Sequence, residues 1–256
     1  MNEVLAPSPA VGGDGPVNPH AGAGIVGVLG GMGPLATVDF MHKLLRATPA
    51  ANDQQHVPVV VSSIPQVPDR TLAFRGEGES PLAAIIASGR RLVRAGAGLV
   101  VMPCNTAHLW FDAVQQALGV PMLHLVDAAL DDARRQAGPT VCVGLLATDA
   151  TMASGLYINR AAAGVRWQLP TAGEMLSRVM PGIAAVKAGE LERAAELLTD
   201  AAQALQRRGA EVLVLGCTEL PLVLGAGHAP LPVVDAGLAL ARKAVAWSMA
   251  QRVAAA

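Results

Sequence analysis

Cys104 lies in Gly96-Ala-Gly-Leu-Val-Val-Met-Pro-Cys-Asn-Thr, and Cys217 lies in Gly209-Ala-Glu-Val-Leu-Val-Leu-Gly-Cys-Thr-Glu, 113 positions later. The two segments align without a gap: Gly96 meets Gly209, Ala97 meets Ala210, Val101 meets Val214 and Cys104 meets Cys217. Each is a short apolar run with a thiol at its end, and the carboxyl ends of buried strands are where open α/β sheets gather their chemistry. Two thiols facing one pocket can take a proton from one face of a carbon and return one to the other. One thiolate is the general base, the opposite thiol the general acid, and the roles swap in the reverse direction. A free cysteine, pKa about 8.5, is only a few per cent thiolate at pH 7. A helix N-terminus beside each sulfur favours the thiolate, while apolar burial opposes it. Cys142 is an internal control, because it sits within a Val-Cys-Val run and not at its end, as a core residue does.

Other residues with chemistry to offer flank the same strand ends. Ile25-Val-Gly-Val-Leu reads as a buried strand, followed by Gly30-Gly-Met-Gly33 and by Pro34, where a helix can begin. Gly31-Met-Gly-Pro-Leu-Ala36 fits the dinucleotide pattern, but that fingerprint wants an acid after the second strand. The second strand, Val57-Pro-Val-Val-Val61, runs into Ser62-Ser63 instead. The glycines let backbone N–H groups approach a small carboxylate, or simply form a tight turn. Ile64-Pro-Gln-Val-Pro-Asp-Arg70 is too irregular for helix or strand, and such loops often carry substrate contacts. The Arg70 guanidinium suits a carboxylate; a solvated surface charge is the plainer reading. His108 either tunes Cys104 or packs on a helix face. Glu219 either assists proton movement at Cys217 or satisfies the first N–H groups of a helix. Asp127 and Asp235 directly precede helical stretches and read as caps, and His124 has no assignable role.

The elements that must hold these residues repeat. Pro81 opens a helix with Leu82, Ile85, Ile86 and Val93 at helical spacing, and the strand Leu99–Met102 then delivers Cys104, with Asn105-Thr106 as cap-type residues. Val120-Pro-Met-Leu is the next strand. Val141-Cys-Val-Gly-Leu-Leu restarts the pattern, and its turn, Ala147-Thr-Asp-Ala-Thr151, uses threonines where the first copy uses glycines. Those hydroxyls bind an anion or cap the helix. Leu191, Ala195, Leu198, Ala202 and Leu205 mark an amphipathic helix ahead of the Cys217 strand, and Leu231-Pro-Val-Val-Asp235-Ala echoes Leu123-His-Leu-Val-Asp127-Ala. The order predicts two similar three-layer α/β domains with mainly parallel sheets, related by a pseudo-twofold, with the active site in the cleft between them. The expected limits are a disordered tail over 1–24, a first domain over 25–123 and a second over 124–234. A final helix, 235–253, is expected to pack back on the first domain.

Composition excludes several functions. Hydrophobic residues make up 52% and charged ones 15%, ample for a core, yet no run approaches the roughly 20 apolar residues of a membrane helix. A formal net charge of −1, no basic block and 3% aromatics argue against nucleic acid as partner. Three widely spaced cysteines make neither a disulfide framework nor a metal site, and free thiols fit a reducing cytoplasm. Residues 1–24 lack the basic and apolar regions of a signal peptide.

Gly-Gly-Met-Gly, Pro-Gln-Val-Pro-Asp-Arg, Met-Pro-Cys-Asn-Thr-Ala-His and Gly-Cys-Thr-Glu together resemble the aspartate/glutamate racemase superfamily, most of all its aspartate racemases, over roughly residues 24–250. The resemblance implies racemisation of an acidic amino acid without a cofactor, by two bases in an interdomain cleft. Cys104 and Cys217 match the catalytic pair. Met32 and Gly33 match a backbone contact from the first loop. Asn105 and Thr106, with Thr218 across the cleft, match the grip on the α-carboxylate and amine; Thr148 is a further expected substrate contact, although relatives often build its turn with a glycine where Asp149-Ala150 stands here. Arg70 and Lys187 match the cationic contacts to the side-chain carboxylate. Glu219 stands where glutamate racemases usually have histidine, which favours aspartate or a broader range of amino acids. The resemblance also suggests a homodimer, and no metal is expected. A maleate-type isomerase or decarboxylase on the same fold, or a catalytically silent amino-acid-binding protein, are the rival readings. With only Lys43, Lys187 and Lys243, none in a recognisable cofactor setting, a pyridoxal-phosphate enzyme does not fit.

Overall fold

The computed structural model describes residues 24–138, 142–225 and 227–254. The expected tail lies outside these except for Gly24. In the first half the chain runs β1 (Val26–Gly30), α1 (Pro34–Ala47), β2 (Val59–Ser63), α2 (Arg70–Arg75), α3 (Leu82–Arg94), β3 (Leu99–Val101), α4 (Phe111–Leu118) and β4 (Met122–Leu123). It continues with α5 (Leu125–Ala137), β5 (Cys142–Ala147), α6 (Asp149–Ala153), β6 (Arg166–Gln168) and α7 (Ala172–Glu174). After a π-helical turn at Met175–Val179 come α8 (Met180–Ala188), α9 (Leu191–Arg207), β7 (Val212–Gly216), β8 (Val233–Asp235) and α10 (Ala236–Ala254).

Two four-stranded sheets result, ordered β2-β1-β3-β4 and β6-β5-β7-β8, and every described pairing is parallel. The central strands β1, β3, β5 and β7 are buried along their whole length, as crossover helices on both faces of a parallel sheet require. Equivalent strands occupy equivalent places in the two orders, so Cys104 follows β3 and Cys217 follows β7 at matching sheet positions.

The apolar periodicities of the helices find their partners with small offsets. In α3 the inward face is Ile85, Ser88, Gly89 and Leu92, and Ser62 and Ser88 share a 2.7 Å hydrogen bond beneath it. In α9 the buried stripe is Ala194, Leu198, Ala201, Ala202 and Leu205, leaving Leu191 exposed. Helix α10 packs on α1 and α5 and touches β3, β4, β7 and β8. One apolar cluster runs from Val26, Val28 and Val101 through α5 and α10 to Val143, Leu145, Val212 and Val214, so the core is continuous between the sheets. Ser248 Oγ donates to the carbonyl of Gly24 (2.6 Å), tying α10 to the approach to β1.

Asp235 does cap α10, accepting from the N–H of Leu238 at 3.0 Å, and it also lies 2.6 Å from Lys43 Nζ on α1. Asp127 does not cap α5. Its two oxygens accept from Arg160 Nε and Nη2 at 2.8 Å each, which fastens the segment after α6 to α5. Among the described residues no helix is long and apolar enough to cross a membrane.

Candidate active site

The loops at the carboxyl ends of the two sheets meet. Gly31 adopts φ +88°, and a Cβ there would sit 2.3 Å from the backbone nitrogen of Ile64, so glycine lets the loop after β1 lie against the loop after β2. The Pro-Asp-Arg stretch, read from sequence as irregular, begins α2. Asp69 caps it, its Oδ1 accepting from the N–H groups of Thr71 (2.8 Å) and Leu72 (2.9 Å), and Gly76 ends it at φ +74°. The signal was present in Asp-Arg-Thr-Leu-Ala-Phe-Arg-Gly, but two prolines just upstream obscured it. Helix α2 stands over the cleft, and Arg75 at its end pairs with Asp149 of the second half.

Beneath α2 the halves enclose a chamber of about 20 Å³, room for about one water. The first half contributes Met32, Asp69, Arg70, Thr71, Cys104, Asn105 and Thr106. The second half contributes Thr148, Lys187, Cys217, Thr218 and Glu219. The sequence-predicted residues thus converge, except that Gly33 borders the adjoining cavity. That cavity, about 510 Å³, is walled by Gly31, Gly33, Pro34, Leu35, Pro65 and Val67, and shares Asp69, Arg70, Lys187 and Glu219 with the chamber.

Hydrogen bonds cross the cleft around the thiols. Thr106 Oγ1 lies 3.0 Å from both Thr148 Oγ1 and Thr151 Oγ1, and Thr218 Oγ1 donates to the carbonyl of Pro103 at 3.2 Å. Thr148 also caps α6 through the N–H of Thr151, so the hydroxyl serves the helix and faces the chamber at once. Cys217 Sγ donates to Glu219 Oε2 at 2.9 Å, while Glu219 Oε1 is buried without a partner. Arg70 Nη1 donates to the carbonyls of Val67 (3.0 Å) and Pro68 (2.9 Å), which leaves its buried Nε unpartnered.

Burial dominates the electrostatics. Burial pushes the Cys104 thiol up and Glu219 adds to this, while Arg70, Lys187 and the N–H of Ala107 pull it down. Cys217 is pushed further up by burial and then by Glu219, against Lys187 and the N–H of Glu219. The helix N-termini expected beside the sulfurs are only 3₁₀ turns, Thr106–Trp110 and Leu220–Leu222, so each sulfur meets one backbone N–H and little macrodipole. Lys187 is held above the usual lysine value: burial opposes this, but the negative charges available at Cys217, Glu219 and Cys104 outweigh it.

A family model for Asp/Glu/Hydantoin racemase matches residues 29–244, a span that includes both cysteine loops. The chain belongs to this family. The racemase is 32% identical to an aspartate racemase of Picrophilus torridus whose solved structure superposes with a TM-score of 0.79, covering 88% of this chain and 94% of that one. It is 27% identical to the broad specificity amino-acid racemase RacX of Bacillus subtilis, over 88% of this chain and 99% of the relative. It is 31% identical to a glutamate racemase of Deinococcus radiodurans, over 80% of this chain and 69% of the relative. The protein is an isomerase, and its substrate is a small-molecule amino acid.

Sequence reasoning left out Asp69 and Thr71, which border the chamber, and Tyr157, which lies behind Asn105, and gave Glu219 and His108 no settled part. His108 Nδ1 lies 2.8 Å from the carbonyl of Cys104, and its Nε2 accepts from the N–H of Leu125 at 3.1 Å. Since Nε2 accepts, the proton is on Nδ1, which donates to Cys104 O. The imidazole therefore ties the Cys104 loop to the start of α5 and does not face the thiol. Its pKa is lowered to about 3 by burial and then by His124, and that of His124 to about 4 by burial and Arg160. A folded pKa below the unfolded one gives stability that is present above about pH 6.5 and lost as pH falls towards the folded value. Holding the buried His108 neutral therefore removes about 2 kcal/mol between pH 7 and pH 5. The expected result is a clear fall of the urea midpoint over that range, with His124 adding in the same direction; an unchanged midpoint contradicts the neutral His108.

Proposed function

We propose that this racemase interconverts L- and D-aspartate at Cα with Cys104 and Cys217 as its two acid–base groups and no cofactor. The observation that carries the reading is that two thiols, at matching positions of two sheets, border one small chamber together with Arg70 and Lys187. Proton removal on one face and delivery on the other needs groups on both sides of the carbon, and the two domains, divided near residue 123, supply one each. Cys104, which Arg70 pulls towards the thiolate, is the readier base. Cys217, already donating to Glu219, is the resting acid. Asn105, Thr106, Thr148 and Thr218 grip the α-carboxylate and amine, and Met32 and Gly33 bring the first loop against them. Arg70 and Lys187 take the side-chain carboxylate, the buried Nε of Arg70 offering a free donor. A chamber of about 20 Å³ is too small for an amino acid, so this reading requires the chamber to widen or to draw on the adjoining cavity of about 510 Å³ when substrate binds.

A broader substrate range is the second reading. Four side chains of the chamber also border the 510 Å³ cavity walled by Pro34, Leu35, Pro65 and Val67, which gives a side chain longer than that of aspartate a place to extend. The likeness to the broad specificity racemase of Bacillus subtilis supports it.

The test is purified protein with L-aspartate in heavy water and no added cofactor. Optical rotation should decay and deuterium should enter Cα. If L-aspartate keeps its rotation at high enzyme concentration the aspartate reading fails, and if L-glutamate keeps it as well the racemisation of acidic amino acids fails with it. Relative rates on longer neutral and basic amino acids then decide between the narrow and broad ranges.

A further inference from the structure

We propose that Tyr157 is a positioning residue of the racemase, which turns the side-chain amide of Asn105 so that its NH2 group faces the bound amino acid. This rests on the reading above, in which Asn105 grips the substrate. Tyr157 is 1% exposed and does not border the chamber. Its hydroxyl reaches from the second half to Asn105 Oδ1 in the first, at 2.5 Å.

Among the described residues the amide has no other fixed partner. Asn105 precedes a 3₁₀ turn but makes no side-chain cap bond, and its Nδ2 is buried without an acceptor. A buried NH2 without a partner is costly, and the cost is recovered when a ligand oxygen arrives. Asn105 itself borders the chamber, so that ligand is the one held between the thiols.

The orientation follows from the chemistry of the phenol. Burial, and then the Cys217 and Asp235 charges, raise the Tyr157 pKa, so the hydroxyl keeps its proton and donates it. The phenol has no other acceptor among the described residues, so an amide oxygen facing Tyr157 is what satisfies its buried proton, and the two N–H donors are then left to face the chamber. The reverse orientation would aim the amide oxygen at a substrate carboxylate. Tyr157 is itself held firmly. Its ring meets the Trp167 edge at 6.5 Å, and three residues later Arg160 makes its two bonds to Asp127 on α5.

Tyr157→Phe keeps the ring and removes the one oxygen that orients the amide. Its KM for the accepted amino acid should rise about tenfold with a much smaller change in kcat, as for a lost hydrogen bond that acts on binding. In an Asn105→Ala background the same change should add nothing, since Tyr157 acts only through the amide. Additive effects on KM, or an unchanged KM in Tyr157→Phe, overturn the proposal. A wild-type protein with no racemase activity instead overturns the reading beneath it. A second measurement needs no variant of Tyr157. The sequence has one tyrosine, so protein grown with 3-fluorotyrosine gives a single fluorine resonance assignable to Tyr157. Titrating in D-aspartate should shift it in otherwise wild-type protein and leave it unmoved in Asn105→Ala; a shift of equal size in both also overturns the proposal.

Discussion

On the proposed two-thiol mechanism, Cys104→Ser should lower aspartate racemisation by about 10²- to 10⁴-fold, the usual contribution of a positioned acid–base group, and Cys217→Ser should do the same. The substitution keeps the shape of the side chain but replaces a thiol with a far weaker acid that cannot serve as the base. Either loss should stop inversion, because on that mechanism each direction uses both groups, one to remove the proton and one to supply it. The variants should still differ from each other. With Cys104 replaced, Cys217 can take a proton from the face it borders and return solvent deuterium to that face. Exchange without inversion then survives for one antipode only, and for the opposite antipode when Cys217 is replaced. Proton NMR of separate D- and L-aspartate samples in heavy water reads this directly. Cys142→Ser is the control: Cys142 is buried in β5 and borders neither cavity, so most activity should remain. Full activity in either single variant, or loss only in Cys142→Ser, would discard the two-thiol mechanism.

Much of the fold was legible because duplication wrote it twice. The gapless match of Gly96–Thr106 with Gly209–Glu219 predicted two equivalent strands ending in cysteine, and the sheets place β3 and β7 in the same position of the same order. Continuous apolar runs identified the buried central strands, since both faces are covered and no alternation remains. The misses are of a different kind. Helix α2 is six residues long and has no buried residue, so it carries no periodic signal; only the Asp69 cap and Gly76 mark it. Asp127 looked like a cap because it directly precedes a helical stretch, but a bidentate arginine from 33 residues away claimed it. Tyr157 was invisible for the same reason. Nothing near it in sequence points to Asn105, and only the closed arrangement of the two halves brings an isolated phenol to a side chain 52 positions away. Local pattern located the candidate chemical groups, while the contacts between them, such as Tyr157 with Asn105, depend on long-range packing.

Lys187→Met should cost about 10- to 100-fold in kcat/KM on aspartate at neutral pH, the scale of a lost hydrogen bond to a charged group. The loss has two sources with separate signatures. Without the ammonium group the substrate's side-chain carboxylate loses a partner, which raises KM. Lys187 also pulls both thiols towards the thiolate, so its removal leaves burial and Glu219 to push them higher. The rising limb of kcat/KM against pH, which reports ionisation of the basic thiol, must therefore move to higher pH. Glu219→Gln should move it the other way. It keeps an oxygen to accept from Cys217 Sγ but removes the negative charge that raises both thiols, so the limb shifts to lower pH. Opposite displacements from two chamber residues of opposite charge cannot come from a general loosening of the fold, which would lower activity without a signed change in the profile. If both variants move the limb in one direction, or neither moves it, then Lys187 and Glu219 do not set the thiol ionisation. Lys187 would then act on the substrate's side-chain carboxylate alone.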